Sequence, residues 1–246
     1  YGNQSEKYGF SGKAKGAVEE ARRILAEGIG AKPEEIYFTG SGSESDNFFF
    51  YVAAEAYAAL GKHNITTKIE HHAVLHTAEY LEKNGFEVTY LDVDEKGIVS
   101  PDAVKAAIWP GTILISVMMA NNEIGTVEPI REIGAAAKEH GILFHTDAVQ
   151  AFGHLPIDVE EMNIDLLSAS AHKLNGPKGV GLLYIRQGLK LRAFLHGGAQ
   201  ERRRRAGTHN TPGIAGFGKA AELAFRNMEQ RAAYETKLRD YLIGRV

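Results

Sequence analysis

Apolar and polar positions along this chain change period repeatedly, from helical to strand-like and back. Over residues 14–29 the apolar positions Ala14, Ala17, Val18, Ala21, Leu25 and Ile29 recur at helical spacing, and Gly30 with Pro33 closes that helix. The tetrapeptide Ile36-Tyr37-Phe38-Thr39 then reads as a short buried strand. Further strands are predicted near residues 64–69, 87–93, 112–118, 142–147, 165–170 and 180–186. Helical stretches fall between them at about 45–60, 73–84, 101–108 and 130–140. The run TILISVMM at 112–119 is almost unbroken in apolar character, the mark of a strand buried on both faces. Such alternation predicts an α/β fold: a mainly parallel, seven-stranded sheet with right-handed crossovers and helices on both faces. An irregular Gly- and Arg-rich stretch follows at 188–211. Pro212 suits the first turn of a helix running past Phe225, and residues 229–246 read as a polar helical extension.

Composition narrows the classes of function. Lys and Arg number 28 against 31 for Asp and Glu, a net charge of −3, which is unlike the basic excess of a nucleic-acid binder. No run of about 18 apolar residues occurs, so no membrane-spanning helix is expected. The opening YGNQSEKYGF has neither the basic start nor the apolar core of a signal peptide, and the expected compartment is the cytoplasm. Cysteine is absent, which excludes disulfides, thiolate metal sites and a cysteine nucleophile within these 246 residues.

Candidate chemistry gathers at strand ends. Thr39-Gly-Ser-Gly-Ser-Glu-Ser-Asp-Asn47 follows one strand and opens a helix, where backbone amides and hydroxyls make a phosphate cup. The same residues also suit a tight turn capped by Ser43 or Ser45. Asp147 closes the strand 142–147, and a buried carboxylate there needs a cationic partner such as a protonated pyridine nitrogen. Gln150 stands three residues on, and a plain helix-capping role for Asp147 is the alternative. Lys173 emerges from the next strand behind Ser168-Ala-Ser-Ala-His172, in a setting suited to Schiff-base chemistry. His71 sits at a strand-to-helix junction, where an imidazole can stack on an aromatic ligand or carry protons, while His72 and His76 read as bystanders. No third ligand accompanies these histidines, so no metal site is expected. Asn121-Asn122 follows the most apolar strand into the same crevice. The run Arg202–Arg205 reads as a solvated basic face.

Seven motifs, in order, resemble one family. They are GSGSESDN (40–47), TKIEHHAV (67–74), ANNEIGT (120–126), HTDAVQ (145–150), SASAHK (168–173), GPKG (176–179) and HGGAQE (196–201) leading to Gly207-Thr208. Together they resemble the cysteine desulfurases of the class V aminotransferase group, which are pyridoxal-phosphate enzymes of fold type I. The resemblance runs from residue 1 to about residue 223. It implies a cofactor-binding large domain over 1–225, with 226–246 as the helical start of a further C-terminal domain.

On matching positions, the resemblance implies that Lys173 bonds to the cofactor and later moves the substrate α-proton. It pairs Asp147 with the pyridine nitrogen, Gln150 with the phenolic oxygen, and His71 with the face of the ring. Asn122 sits beside the cofactor and the substrate carboxylate. Gly42, Ser43, Ser170 and His172 hold the phosphate, joined by Thr208 from a second subunit, which implies a homodimer. L-Cysteine is the implied substrate and L-alanine the product, with sulfur passed through an enzyme persulfide to an acceptor protein, as in iron–sulfur assembly. The family's persulfide cysteine and substrate-binding arginine fall beyond residue 246. Departures from the family pattern include Gln4 for Pro, Gly42 for Ala, Asn175 for Tyr, and Ala199 and Arg203 for Gly. Two other readings are a non-catalytic dimerising homologue and a related lyase or aminotransferase that works without a thiol.

Overall fold

The computed structural model describes residues 11–246. The opening segment, with its signal-peptide reading and Gln4, lies outside the described residues. Helix α1 (Ser11–Glu27) is followed by strand β1 (Ile36–Thr39), helix α2 (Gly42–Tyr57), β2 (His63–Thr67), α3 (His72–Lys83) and β3 (Glu87–Leu91). Then come α4 (Pro101–Ala106), β4 (Thr112–Ser116), α5 (Ile130–Glu139), β5 (Leu143–Asp147) and β6 (Leu166–Ser170). A 3-10 turn at Ala171–Leu174 leads to β7 (Gly181–Ile185), and α6 (Thr211–Arg226) and α7 (Met228–Ile243) close the chain.

The seven strands form one sheet in the order β1-β7-β6-β5-β4-β2-β3. Only β7 runs against the others, pairing antiparallel with both β1 and β6. The predicted α/β class and mainly parallel sheet are therefore observed. Strands β4 to β7 are buried almost end to end, whereas β3 at the edge is half-exposed. That difference matches the continuous apolar runs of the central strands.

Two apolar layers cover the sheet. On one face, Val18, Leu25, Phe144, Phe152 and Phe217 join residues from α1, α5 and α6 in one cluster. On the other, Phe48, Phe49 and Phe50 of α2 pack with Val74 and Leu81 of α3. Helices α1 and α6 approach so closely that a Cβ on Gly218 would lie 2.7 Å from Ala21 Cα. Helix α7 buries none of its residues. Among the described residues no helix is long and apolar enough to cross a membrane.

Helix α2 starts three residues earlier than its apolar pattern indicates. Ser41, rather than Ser43 or Ser45, is its N-cap: the hydroxyl accepts the Glu44 amide at 3.1 Å. Gly42 and Ser43 carry no helical signal of their own, so the periodicity begins only beyond them.

The arginine run fits its reading as a solvated face only in part: Arg202 and Arg203 are exposed, while Arg204 and Arg205 are half-buried. Glu201 is 4% exposed and takes a two-pronged ion pair from Arg22, with hydrogen bonds of 2.8 and 3.0 Å. It also accepts the Phe38 amide at 2.8 Å and pairs with His209. Arg202 lies over the Tyr37 ring and donates to the Ile36 carbonyl, while Arg205 pairs with Glu44 at 2.7 Å. Glu201, Arg202 and Arg203 all adopt positive φ, a conformation that non-glycine residues hold only when their surroundings enforce it. Burial opposes ionisation of Glu201, but the hydrogen bonds from His209 and Arg22 outweigh it and hold its pKa at about 2.

Removing the charge of Glu201 would strand a buried guanidinium. Glu201→Gln is expected to lower the unfolding free energy by about 3–5 kcal/mol in urea titrations. The depressed pKa adds stability that is present above the ordinary value of 4.5 and lost as pH falls towards about 2. The variant is expected to flatten the fall in stability across that window.

Candidate active site

The carboxyl ends of the parallel strands open into one crevice, the usual ligand position in such sheets. Each strand delivers different chemistry there. Beyond β1 lie Ser41, Gly42 and Ser43; beyond β2, His71; beyond β4, Asn122; at the end of β5, Asp147, then Gln150; at the end of β6, Ser170, then His172 and Lys173. These side chains line a cavity of about 290 Å³, together with Asp46, Met118 and Val149. Nine of the ten residues singled out from the sequence meet there. The tenth, Thr208, is exposed and is not among the lining residues.

The mouth of α2 forms an anion cup. The first amides of a helix have no intrahelical acceptor, and Ser41 takes only that of Glu44. Gly42 and Ser43 are thus left at the cavity with the positive end of the helix dipole behind them. The cup depends on close backbone approach. A Cβ on Gly42 would come 2.7 Å from a Val149 methyl, and one on Gly181 would come 2.5 Å from the Ser41 carbonyl carbon. Ser170 and His172 add a hydroxyl and an imidazole, joined to each other at 2.9 Å. Burial and the neighbouring Lys173 and Lys178 push His172 below its ordinary pKa.

Asp147 lines the same cavity and is 4% exposed. Burial pushes its carboxyl up to about 6, against a hydrogen bond from the Val149 amide at 2.8 Å and the charge of Lys173. That amide contact makes a local Asx turn, so the capping role and the ligand-facing role coexist in one residue. His71 caps α3 through Nδ1, which accepts the Ala73 amide at 3.1 Å, so a neutral ring carries its proton on Nε2. Burial, His72 and Lys173 all lower its pKa, keeping it neutral. His72 and His76 do not line the cavity, and no metal-holding group of His, Cys, Asp or Glu occurs among the described residues.

The sequence reading missed the polar layer beneath the cavity. Asp46, Glu70 and His145 are 1%, 5% and 0% exposed. Burial pushes Glu70 up to about 8 despite hydrogen bonds from the Met118 amide and the Thr67 hydroxyl. His145, stacked on Phe49 with ring centroids 3.8 Å apart, is held neutral by burial. Asp46 stands in the polar run 43–47 and Glu70 at the β2–α3 junction, so nothing local in the sequence marks them as buried.

All 246 residues match the family described as aminotransferase class-V, and the chain belongs to that family. It is 58% identical over 243 residues to a cysteine desulfurase IscS of Methanosarcina thermophila, covering 99% of this chain and 60% of that protein. A cysteine desulfurase IscS of Clostridium botulinum is also 58% identical, with 61% of its length covered. The chain therefore spans about 60% of the length of these relatives. A solved NifS-like protein superposes with a TM-score of 0.97 at 41% identity, over 99% of this chain and 67% of that one. SspA in complex with cysteine superposes with a TM-score of 0.88 at 47% identity, over 90% of this chain and 65% of that one.

Two measurements test the site's geometry. Gly181→Ala forces its Cβ against the Ser41 backbone, which cannot step aside as a side chain would. It is expected to cost about 1–3 kcal/mol of stability and to weaken inorganic-phosphate binding at the α2 mouth by about tenfold or more, read by thermal unfolding and titration calorimetry. Asp147 illustrates the stability cost of a site. Its folded pKa of about 6 lies above its ordinary value of 3.8, so the native state holds the proton longer and loses stability as pH rises through that window. Asp147→Asn is expected to raise the melting temperature of the cofactor-free chain above pH 6 and to lose that advantage at pH 4.

Proposed function

We propose that this chain is the cofactor-holding part of a pyridoxal-phosphate-dependent cysteine desulfurase. The observation that carries the reading is one cavity that holds buried Asp147, Lys173 and the α2 anion cup together. The residues fit the cofactor on three counts. A buried carboxylate with a raised pKa lacks a full cationic partner, as it would before meeting a protonated ring nitrogen. The helix mouth, walled by positions where a Cβ would collide, suits a phosphate. The flat, neutral His71 suits the face of a ring. When bound, pyridoxal phosphate supplies the sink for electrons released at the substrate's Cα.

The chain's own residues then divide the work. Lys173 Nζ would hold the cofactor and, once free, would carry the substrate α-proton. Asp147 balances the ring nitrogen, Gln150 binds the phenolic oxygen, and Asn122 meets the substrate carboxylate. Gly42, Ser43, Ser170 and His172 hold the phosphate, with Thr208 of a second copy completing the hold. Residues 1–225 form this unit and 226–246 lead out of it.

The substrate is L-cysteine. A thiolate attacks its sulfur, an S–S bond forms as the C–S bond breaks, and protonation of the carbon leaves L-alanine and a persulfide. These 246 residues contain no cysteine, so that thiol comes from other residues. A cytoplasmic homodimer that passes sulfur to an acceptor, including iron–sulfur assembly, is the setting this chemistry suits. Support comes from the shared name of the curated relatives and from the similarity to a structure solved with cysteine.

Purified chain mixed with pyridoxal phosphate is expected to develop a visible absorption band that Lys173→Ala abolishes. L-Cysteine is expected to perturb the band more strongly than L-serine at equal concentration. A band unchanged in Lys173→Ala would overturn the role of that lysine, and equal responses to the two amino acids would overturn the substrate.

A further inference from the structure

Asp46 is a buried acid for which the chemistry above finds no use. It sits in the second turn of α2, 1% exposed, yet lines the same cavity as Asp147. Its Oδ1 is fully enclosed and has no hydrogen-bond partner among the described residues. The nearest basic nitrogen is Nε2 of His145, at 3.7 Å. That imidazole offers no positive charge. It is wholly buried on Phe49, and its two nitrogens already meet the hydroxyls of Ser116 at 2.9 Å and Ser168 at 3.0 Å.

The groups facing Asp46 from every side are neutral or acidic. From β5 come His145 and Asp147, from β6 the Ser168 hydroxyl, and from the β2–α3 junction the buried Glu70. Lys173 acts on Asp147 but is not among the influences on Asp46. Two adjacent buried carboxylates with no cation between them cannot both stay ionised, and the one further from Lys173 keeps the proton. Burial first, and then the charge of Asp147, raises Asp46 well above the ordinary carboxylate range.

We infer that Asp46 is a positioning residue that holds a proton beside Asp147, so that the pair carries one negative charge and Asp147 alone presents it to the cavity. A neutral acid there does two things. It spares Asp147 the repulsion of a second anion, and it supplies polar surroundings that an apolar side chain would not. The functional part of this inference rests on pyridoxal phosphate being the ligand whose ring nitrogen meets Asp147. The protonation state itself does not.

Two readouts separate these. Infrared difference spectra of the cofactor-free chain at neutral pH report protonated carboxyls through their C=O stretch. Asp46→Asn is expected to remove one such band, Glu70→Gln a different one, and Asp147→Asn neither. Retention of every protonated-carboxyl band in Asp46→Asn would overturn the inference whether or not the cofactor binds. The second readout is the pH dependence of pyridoxal-phosphate uptake, whose acid limb follows loss of the Asp147 charge. Asp46→Leu is expected to move that limb up by about one pH unit, because Asp147 loses its polar neighbour. Asp46→Asn, which mimics the neutral acid, is expected to bring the limb back to the parent position. A limb displaced to lower pH in Asp46→Asn would show that a negative charge had been removed, and would overturn the inference. Failure of the parent chain to take up the cofactor at any pH would instead strike the functional reading and leave the infrared result standing.

Discussion

A carboxylate sits where the protein can least afford a charge, at the inner end of the central strand β5. Asp147 is shielded from water, and among the described residues a backbone amide and the charge of Lys173 favour its ionised form. An isolated buried charge of this kind is costly, and proteins keep one where a ligand will complete it. Much of the surrounding architecture answers that constraint. Both flanking strands are buried, so no solvent reaches Asp147 from β4 or β6. The position two residues earlier on the same face is His145, kept neutral between two serine hydroxyls. The cationic and anion-seeking groups line the same cavity as the acid.

The sheet and its helices were legible because their signals are periodic. Every predicted strand and helix is present, and the central strands announced their burial by unbroken apolar runs. Element ends were less clear. Ser41 was passed over as the cap because glycine and serine at the head of α2 fit a loop as well as a helix, and only the Glu44 amide decides between them. Residues of the cavity wall were readable as chemistry at strand ends, since a parallel sheet sends all such ends to one side. Asp46, Glu70 and His145 were not, because nothing local distinguishes a polar residue that will be buried, whether in the run 43–47, at the β2–α3 junction or in strand β5. Its burial is set by which strand or helix packs against it.

The arginine run shows the opposite difficulty in its second half: Arg202 and Arg203 are exposed, but Arg204 and Arg205 are half-buried. A basic run has a strong local signal, and the local reading was solvation. Here partners far away in sequence hold parts of the run: Glu44 holds half-buried Arg205, and the Tyr37 ring and the Ile36 carbonyl hold exposed Arg202. No local window contains those partners. The positive φ values at 201–203 are the backbone's accommodation to them, since the turn must bring Glu201 inward while sending arginines to either side.

That loop bears on the site through β1. As an edge strand, β1 has one side without a neighbouring strand, and exposed edge groups are both unsatisfied and prone to wrong pairing. Glu201 accepts the Phe38 amide while Arg22 and Arg202 donate to the Ile36 carbonyl, so side chains finish the edge that no strand completes. The same loop then reaches the cup. Arg205 grips Glu44 in the first turn of α2, and Glu44 in turn accepts the Gly40 amide at 2.7 Å. The backbone from β1 into α2 is therefore held from outside by one clamp and walled from inside by Gly181. An anion cup made of main-chain amides has no side-chain rotamers with which to correct its position. Its geometry is only as good as the placement of the strand and helix that make it. The buried Arg22–Glu201 pair and its neighbours supply that placement, which gives a structural ion pair on the far side of β1 a direct bearing on ligand binding.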